Sequence, residues 1–580
     1  MLFFDLEADG LLDEATRVWC MVTVDSQGRV TEYVGDGVKA GIDQLLLEVK
    51  QGGSLVAHNG IGYDYPLIKK LYGVDLTGHE GECLDSLVVS RLAYPDLKEL
   101  DFARLNKFPN FPKQLIGSHS LRAWGERLGH SKGDYDDFSQ FTPEMLEYCV
   151  NDTVLLRQLW THLRKRSPSI EAEWLEHRFA EIMLMQEQHG FMFDKRAAEN
   201  LHIELLKKQY ELEEKAKAAF PPQIVQLKTK TKTIPFNPGS RKQIAEGFIS
   251  KYGWEPREFT PDGKPRIDEA VLRGMSYPEA SVLLEYLLVQ KRISQLAVGS
   301  QAWLRHVKED GRMHGRVNPI GCVTGRCSHS KPNVAQVPAA YSPYGKECRS
   351  LFTVPEGFKL VGADASGLEL RCLAHYLHRY DGGKYVKQLL EGDIHTENAK
   401  AAGLDVFEDG RSRAKTMIYC FLYGGGPEKL GAVVGGGRED GVKLRNRFLK
   451  KTPALKQLRD AVQAKVKKQG FLLGIDGRVL PIRHSHAALN TLLQSAGAIM
   501  VKLATVLLHD MCKQQGLKFG VDYANVAHIH DELQLEVVDE KAELVGNLAV
   551  HAIREAGKRL DCLCPLDAEY RVGTTWAETH

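Results

Sequence analysis

The 580-residue chain has no paired cysteine motif, almost no net charge and no long uncharged apolar run. Its eleven cysteines are scattered and form no CxxC; the nearest two are Cys562 and Cys564. Structural zinc needs paired ligands at close spacing, so no zinc site is expected. So few cysteines in a chain of this size fit free thiols in a reducing cytosol better than a disulfide framework. No uncharged apolar stretch reaches the roughly 18 residues of a membrane span. The apolar start Met1-Leu2-Phe3-Phe4 is stopped by Asp5 and Glu7, unlike a signal peptide. Internal repeats and low-complexity tracts are lacking as well. These absences point to a soluble, cytoplasmic protein. At roughly 150 residues per domain, the length suggests three or four domains.

The balance of charge conceals a local polarity. Overall, 76 Lys/Arg face 75 Asp/Glu, yet residues 1–165 hold 17 against 25 and residues 411–470 hold 15 against 4. A basic block of that density beside an acidic one suits a polyanion held at one end. A solvated helix face gives the same count, and Arg438, Lys443, Arg445, Arg447, Lys450 and Lys451 are spaced to decorate one. If phosphates are neutralised there, binding falls steeply with salt.

Along the chain, a strand over 2–6, a β-like segment over 19–24, a helix over 42–49 and a strand Ser54–Ala57 alternate as in an α/β domain. The stretch 164–169 reads as its boundary. Residues 170–218 carry apolar side chains at three- and four-residue spacing and predict a long helical run, broken by Phe220-Pro221-Pro222. A Lys/Thr tract from Lys228 to Thr233 predicts an exposed loop, and 240–310 returns as a second helical section. Beyond 311 strands and helices mix. Residues 358–364 predict a strand ending in Asp364, residues 411–470 are helical with glycine breaks, and 524–538 reads as strand, tight turn, strand.

Four N-terminal carboxylates stand out. Asp5 and Glu7, two apart on a strand, share a face. Asn59-x3-Tyr63-Asp64 places a third acid after a loop, and Tyr148-x3-Asp152 places a fourth one helical turn beyond a tyrosine. Together, in this order, they resemble the three motifs of DnaQ-like 3′→5′ proofreading nucleases. That resemblance implies an α/β, RNase H-like exonuclease domain over 1–165. In it Asp5, Glu7, Asp64 and Asp152 hold two Mg2+ or Mn2+ ions and Tyr148 orients the attacking water.

A second set lies downstream. Asp364 opens Asp364-Ala365-Ser366-Gly367-Leu368-Glu369-Leu370-Arg371, and a helix N-cap is an equal reading of that aspartate alone. Arg411-x3-Lys415-x3-Tyr419-x3-Tyr423-Gly424 drifts about 40° per step on a helix, leaving two cations and two rings along one side. Such a stripe suits a nucleoside triphosphate, or an ordinary surface. His530-Asp531-Glu532 sits at a hairpin tip, where aspartate is commonly a turn former.

In sequence order, these segments resemble motifs A, B and C of family A (polymerase I-like) DNA polymerases, nearest to those of short-tailed bacteriophages. Thr324-Gly325-Arg326, Asn333-x2-Gln336, Arg478 and the run 486–497 match further blocks of that family. The resemblance implies an α+β right hand: thumb over 166–310, palm over 311–377 and 476–580, fingers over 378–475. It also implies the site residues. Asp364, Asp531 and the main-chain carbonyl of Ala365 bind two Mg2+ (Mn2+ can substitute), with Glu532 in support. Arg411, Lys415 and His395 take the triphosphate, and Lys415 protonates pyrophosphate. Tyr419 and Tyr423 face the incoming nucleotide, while Glu369 crowds a ribose 2′-OH and so selects dNTPs over rNTPs. Arg326, Gln336, Arg478, Asn490, Gln494 and His530 contact primer-template DNA.

The same resemblance implies a monomer in a bacterial host cytoplasm, working with a helicase-primase and a single-stranded-DNA-binding protein and with no membrane. No 5′-nuclease domain is expected, because the first motif begins at residue 5. Thioredoxin is not expected as a partner, because the segment 220–236 is short where some phage relatives carry an insertion.

Overall fold

The computed structural model describes residues 1–105, 110–130, 135–166, 169–226 and 231–580. Contacts sort them into two units. One comprises Met1–Gln188, Val317–Ser328 and Val361–Arg571; the other comprises His189–Arg316, His329–Leu360 and Val572–His580.

In the first unit, strand Leu2–Ala8 lies at the middle of a five-stranded sheet. It runs antiparallel to Val18–Asp25, with Asp5 opposite Val22, and parallel to Ser54–Ala57. Val30–Val34 and Glu82–Asp85 form the two edges. Period-two alternation sends Leu2, Phe4, Leu6 and Ala8 into one core and Phe3 into another with Leu155, Leu159 and Trp160. Asp5 and Glu7 stay on the second face, half-buried. Helix Pro143–Arg164, capped by the Thr142 hydroxyl on the Met145 N–H, packs on that face and delivers Cys149 to the Asp5 carbonyl at 3.5 Å.

The other sheet of this unit orders Tyr523–Ile529, Glu532–Val538, Phe358–Ala365 and Ala568–Gly573 side by side. Ile529 pairs with Glu532, so His530 and Asp531 form a two-residue turn, and His530 takes φ +58°. For a non-glycine residue that left-handed conformation costs roughly 1 kcal/mol or more. Under the sheet runs helix Ala488–Gln514. It is long and apolar enough to cross a membrane, but 94% of its most apolar window is buried inside the protein, which makes it a core helix. Lys502 lies within it, fully buried.

The expected helical run over 170–218 is two helices, Ile170–His189 and Lys195–Ala219. Gly190 at φ +73° ends the first and the Asp194 side chain caps the second. The first belongs almost wholly to the unit of the palm sheet, whereas the second opens the other unit. There Lys195–Ala219, Arg241–Tyr252 and Pro278–Ile293 enclose a core in which Phe220 stacks on Phe236 at 4.6 Å. The tract expected as a loop from Lys228 to Thr233 ends in a strand, Thr231–Ile234, paired with Gln223–Gln226. Residues 228–230, like 167–168 at the expected first boundary, lie outside the described residues.

Candidate active sites

The N-terminal carboxylates are assembled by three elements. Ligand atoms of Asp5, Glu7 and Cys149 lie within 4.8 Å of one another. Asp64 opens helix Asp64–Tyr72 and is buried, its Oδ1 without a hydrogen-bond partner. Burial, then the charges of Asp5 and Asp85, push its carboxyl well above the ordinary range. Asp152 is buried three residues beyond Cys149 on the same helix. Tyr148, half-buried, sits 5.8 Å from the Tyr135 ring and 6.4 Å from that of Phe138. Oxygen donors crowded in this way repel one another and are complementary to a hard divalent cation.

The loop before Asp64 is held by a residue that the motif reading did not single out. Asp85 accepts the N–H groups of Asn59 (2.9 Å), Ile61 (3.1 Å) and Leu87 (2.8 Å). Aspartate before an apolar helix is a readable N-cap signal, but its grip on 59–61 is a long-range contact. Tyr63 adds a hydrogen bond to the Gly10 carbonyl at 2.7 Å. Cys149, between Tyr148 and Asp152, likewise carries no motif signal of its own.

In the palm sheet, the Ala365 N–H donates to the Asp531 carbonyl at 3.1 Å, which brings the end of the Asp364 strand to the hairpin tip. Asp364 is exposed. Asp531 is pushed up to about 6 by burial, then by Glu369 and Glu532. Glu532 is buried and accepts the Gln534 amide at 2.6 Å, which suits support more than direct ligation. Burial and the nearby Arg326 guanidinium lower the His530 imidazole.

Helix Gly410–Leu422 carries the cation-aromatic stripe. Its Tyr423 end donates a hydrogen bond to Glu369 Oε1 at 2.7 Å. Tyr419 lies 6.4 Å from both His395 and Tyr423. Burial, then Arg411 and Lys415, lower the His395 imidazole, so it stays neutral near pH 7. Arg411 pairs with Asp393 at 2.6 Å on an exposed surface, where solvent screens the pair. Lys415 is exposed. Asn490 and Gln494 are half-buried and share a face of the helix Ala488–Gln514, and Arg326 is half-buried in the same unit. Gln336 is exposed in the second unit.

Arg478 needs correction. Expected at the DNA, it is 2% exposed and committed internally, to Glu176 at 2.6 Å and Asp476 at 2.7 Å. Lys502 completes the cluster at 2.7 Å from Glu176. Three N–H groups of Arg478 are spent on buried carboxylates, and burial keeps the rest of the guanidinium from a phosphate. It backs Gly325 instead, where a Cβ would meet its Nη1 at 2.5 Å.

Comparison with known proteins assigns both parts of the chain to families. The model of DNA polymerase family A matches residues 203–578, and that of the RNase H superfamily matches residues 2–164. The chain belongs to DNA polymerase family A. It is 36% identical to the DNA-directed DNA polymerases of Enterobacteria phage T3 and Escherichia phage T7, over alignments spanning all of both chains. Those alignments run to 710 positions, so the relatives carry at least 130 positions without a counterpart here. The polymerase domain of Pol1 from M. smegmatis, solved with primer-template DNA and dNTP, shares the fold with a TM-score of 0.78. Identity is 19%, covering 99% of this chain and 96% of that one. This family A polymerase thus joins an RNase H-like exonuclease domain to a right-hand polymerase fold.

Proposed function

We propose that the chain extends a primer on a DNA template with dNTPs at the Asp364–Asp531 site and trims unpaired 3′ ends at the Asp5–Glu7–Asp64–Asp152 site. The observation that carries the reading is the Ala365–Asp531 main-chain bond. It joins the backbone beside two aspartates 167 residues apart in sequence; Glu369, five residues after Asp364, meets the aromatic end of the 410–422 helix.

In the polymerase half, Asp364, Asp531 and the Ala365 carbonyl would hold Mg2+, with Mn2+ able to substitute. In the nuclease half the four carboxylates would do so. Divalent cations there supply the positive charge that favours the attacking oxygen's ionised form and stabilises the leaving one. The chain's own groups do the rest. Arg411 exchanges Asp393 for a triphosphate oxygen, and Lys415 stands ready to protonate pyrophosphate. Neutral His395 donates to phosphate, and Glu369 occupies the space a 2′-OH needs. Asn490, Gln494, Gln336 and Arg326 probe minor-groove acceptors common to every correct pair, and His530 lies beside the primer end. Tyr148 orients water for cleavage.

The reaction would run in a bacterial cytoplasm, in a monomer served by a helicase-primase and a single-stranded-DNA-binding protein. Thioredoxin has no expected role, and longer products with thioredoxin than without it would count against this. A labelled primer-template with Mg2+ tests both activities. The label should lengthen with dNTPs and shorten without them; failure to lengthen overturns the polymerase assignment, and failure to shorten overturns the nuclease one.

A further inference from the structure

Two neighbouring residues of helix Ile170–His189 hold different catalytic centres. Glu176 lies in the buried cluster with Arg478, Lys502 and Asp476. Lys502 is also 5.1 Å from the Phe179 ring, and that ring packs edge-on against His528 at 4.8 Å. His528 is on the strand that leads to Asp531. Further along the helix, Arg178 pairs with Asp510 at 2.8 Å. One side of the helix is therefore fixed to the palm.

His177 belongs to the other site. Its Nε2 accepts the Asp85 main-chain N–H at 2.8 Å, and its Nδ1 lies 2.7 Å from the Glu173 carbonyl. A carbonyl can only accept, so Nδ1 carries the proton and Nε2 presents its lone pair to Asp85. Asp85 in turn anchors 59–61 by two N–H bonds, and that loop leads into Asp64. His177 is 6% exposed and touches none of the four nuclease carboxylates through any of these bonds.

We propose that His177 is a positioning residue of the nuclease: a lone pair on a palm-anchored helix fixes Asp85, Asp85 fixes the 59–61 loop, and the loop sets Asp64 for its cation. The nuclease geometry is then set from the polymerase half of the chain. This rests on the functional reading above, which supplies the cation at Asp64.

The test is cation binding and turnover in three variants. In the Asp364→Ala/Asp531→Ala chain, which leaves the nuclease carboxylates as the cation site, Mn2+ is titrated by electron paramagnetic resonance. His177→Ala should bind Mn2+ about tenfold more weakly and cut single-stranded DNA with kcat about tenfold lower, as for loss of an outer-shell partner. His177→Gln sets an amide oxygen near the Nε2 position and should restore both. His177→Asn reaches only the Nδ1 position and should fail like alanine. Primer extension by His177→Ala, with the polymerase aspartates intact, should match the parent. Unchanged Mn2+ affinity in His177→Ala, or a glutamine variant as weak as alanine, overturns the inference. So does a joint fall of extension, degradation and Tm in all three variants. If the parent chain binds Mn2+ but degrades no DNA, the functional reading fails instead, and the Mn2+ series still decides the positioning role.

Discussion

The Tyr423 hydroxyl is bonded to the Glu369 carboxylate at 2.7 Å, across 54 residues of sequence. The bond ties the end of the 410–422 helix to the helix Leu368–Asp381 that follows Asp364. It also holds Glu369 in place, so on the proposed reading a sugar with a 2′-OH would meet a carboxylate that cannot easily move aside. Glu369→Ala should raise rNTP use relative to dNTP use by about tenfold or more, the scale on which a built-in clash discriminates. Single-nucleotide incorporation ratios check it; an unchanged ratio removes Glu369 from sugar selection.

Tyr419, its ring 6.4 Å from that of Tyr423, would offer a second hydroxyl to the nucleotide on the proposed reading. Burial, then Glu369 and Asp531, raise its phenol, so it stays a protonated donor at working pH. On the reading the family resemblance implies, this hydroxyl would replace the internal contact that a nucleotide lacking its 3′-OH has lost. Tyr419→Phe should therefore reject dideoxynucleotides about tenfold more strongly than the parent, the worth of one hydrogen bond. Equal ratios of dideoxy to deoxy incorporation in the two chains would refute it.

Asp531 gives a pH prediction with a definite sign. Its folded value of about 6 exceeds the ordinary 3.8. Between those values the cation-free fold binds more protons than the unfolded chain. Its contribution to stability is therefore fully present below about pH 4 and lost as pH rises through about 6. A cation needs the ionised form, so binding at about pH 5.5 should release a proton that binding at about pH 8 does not. Calorimetry in two buffers of different ionisation enthalpy, on the Asp64→Asn chain so that the nuclease site adds no proton of its own, measures this, and adding Asp531→Asn should abolish it. Glu369→Gln removes the largest charge contribution and should move the transition to lower pH.

The four nuclease acids and the polymerase motifs were readable because each is a short segment whose period places its side chains: two apart on a strand for Asp5 and Glu7, four apart on a helix for Arg411 to Tyr423. What escaped reading depends on partners far apart in the chain. The family resemblance puts Arg478 at the DNA, and nothing local corrects that, since only Asp476 is near it in sequence and Glu176 lies 302 residues away. Asp85 and His177, 92 residues apart, carry no motif that announces their bond. The helix break at Gly190 has the same cause: apolar residues continue past its left-handed φ, but Phe191–Met192 leave the helix to pair with Arg312–Met313, far along the chain.

Asp64 is costly to the cation-free fold. Its carboxyl is buried among negative neighbours, and Oδ1 has no hydrogen-bond partner. Asp64→Asn keeps the shape of the protonated acid and removes the charge. With EDTA at about pH 8, this variant should melt a few degrees above the parent, about 1 kcal/mol for a domain of this size. In the Asp364→Ala/Asp531→Ala background, Mn2+ should raise Tm by mass action when Asp64 is present and leave it nearly unchanged with Asp64→Asn. Nuclease activity should be lost in the variant. A lower Tm without metal would show that Asp64 is not the strained member of the site.

Arg478→Ala separates a structural role from a DNA contact. Removing it leaves Asp476 without its 2.7 Å partner and Glu176 with Lys502 alone. Breaking a buried ionic cluster on one side costs about 3–5 kcal/mol, so the variant should unfold at much lower urea concentration than the parent. Its folded fraction should bind primer-template with an unchanged salt slope, because no phosphate partner has been removed. Arg478→Lys, which keeps the charge but not the fork, should recover only part of the stability. A reduced salt slope with little change in the urea midpoint would instead return Arg478 to the DNA.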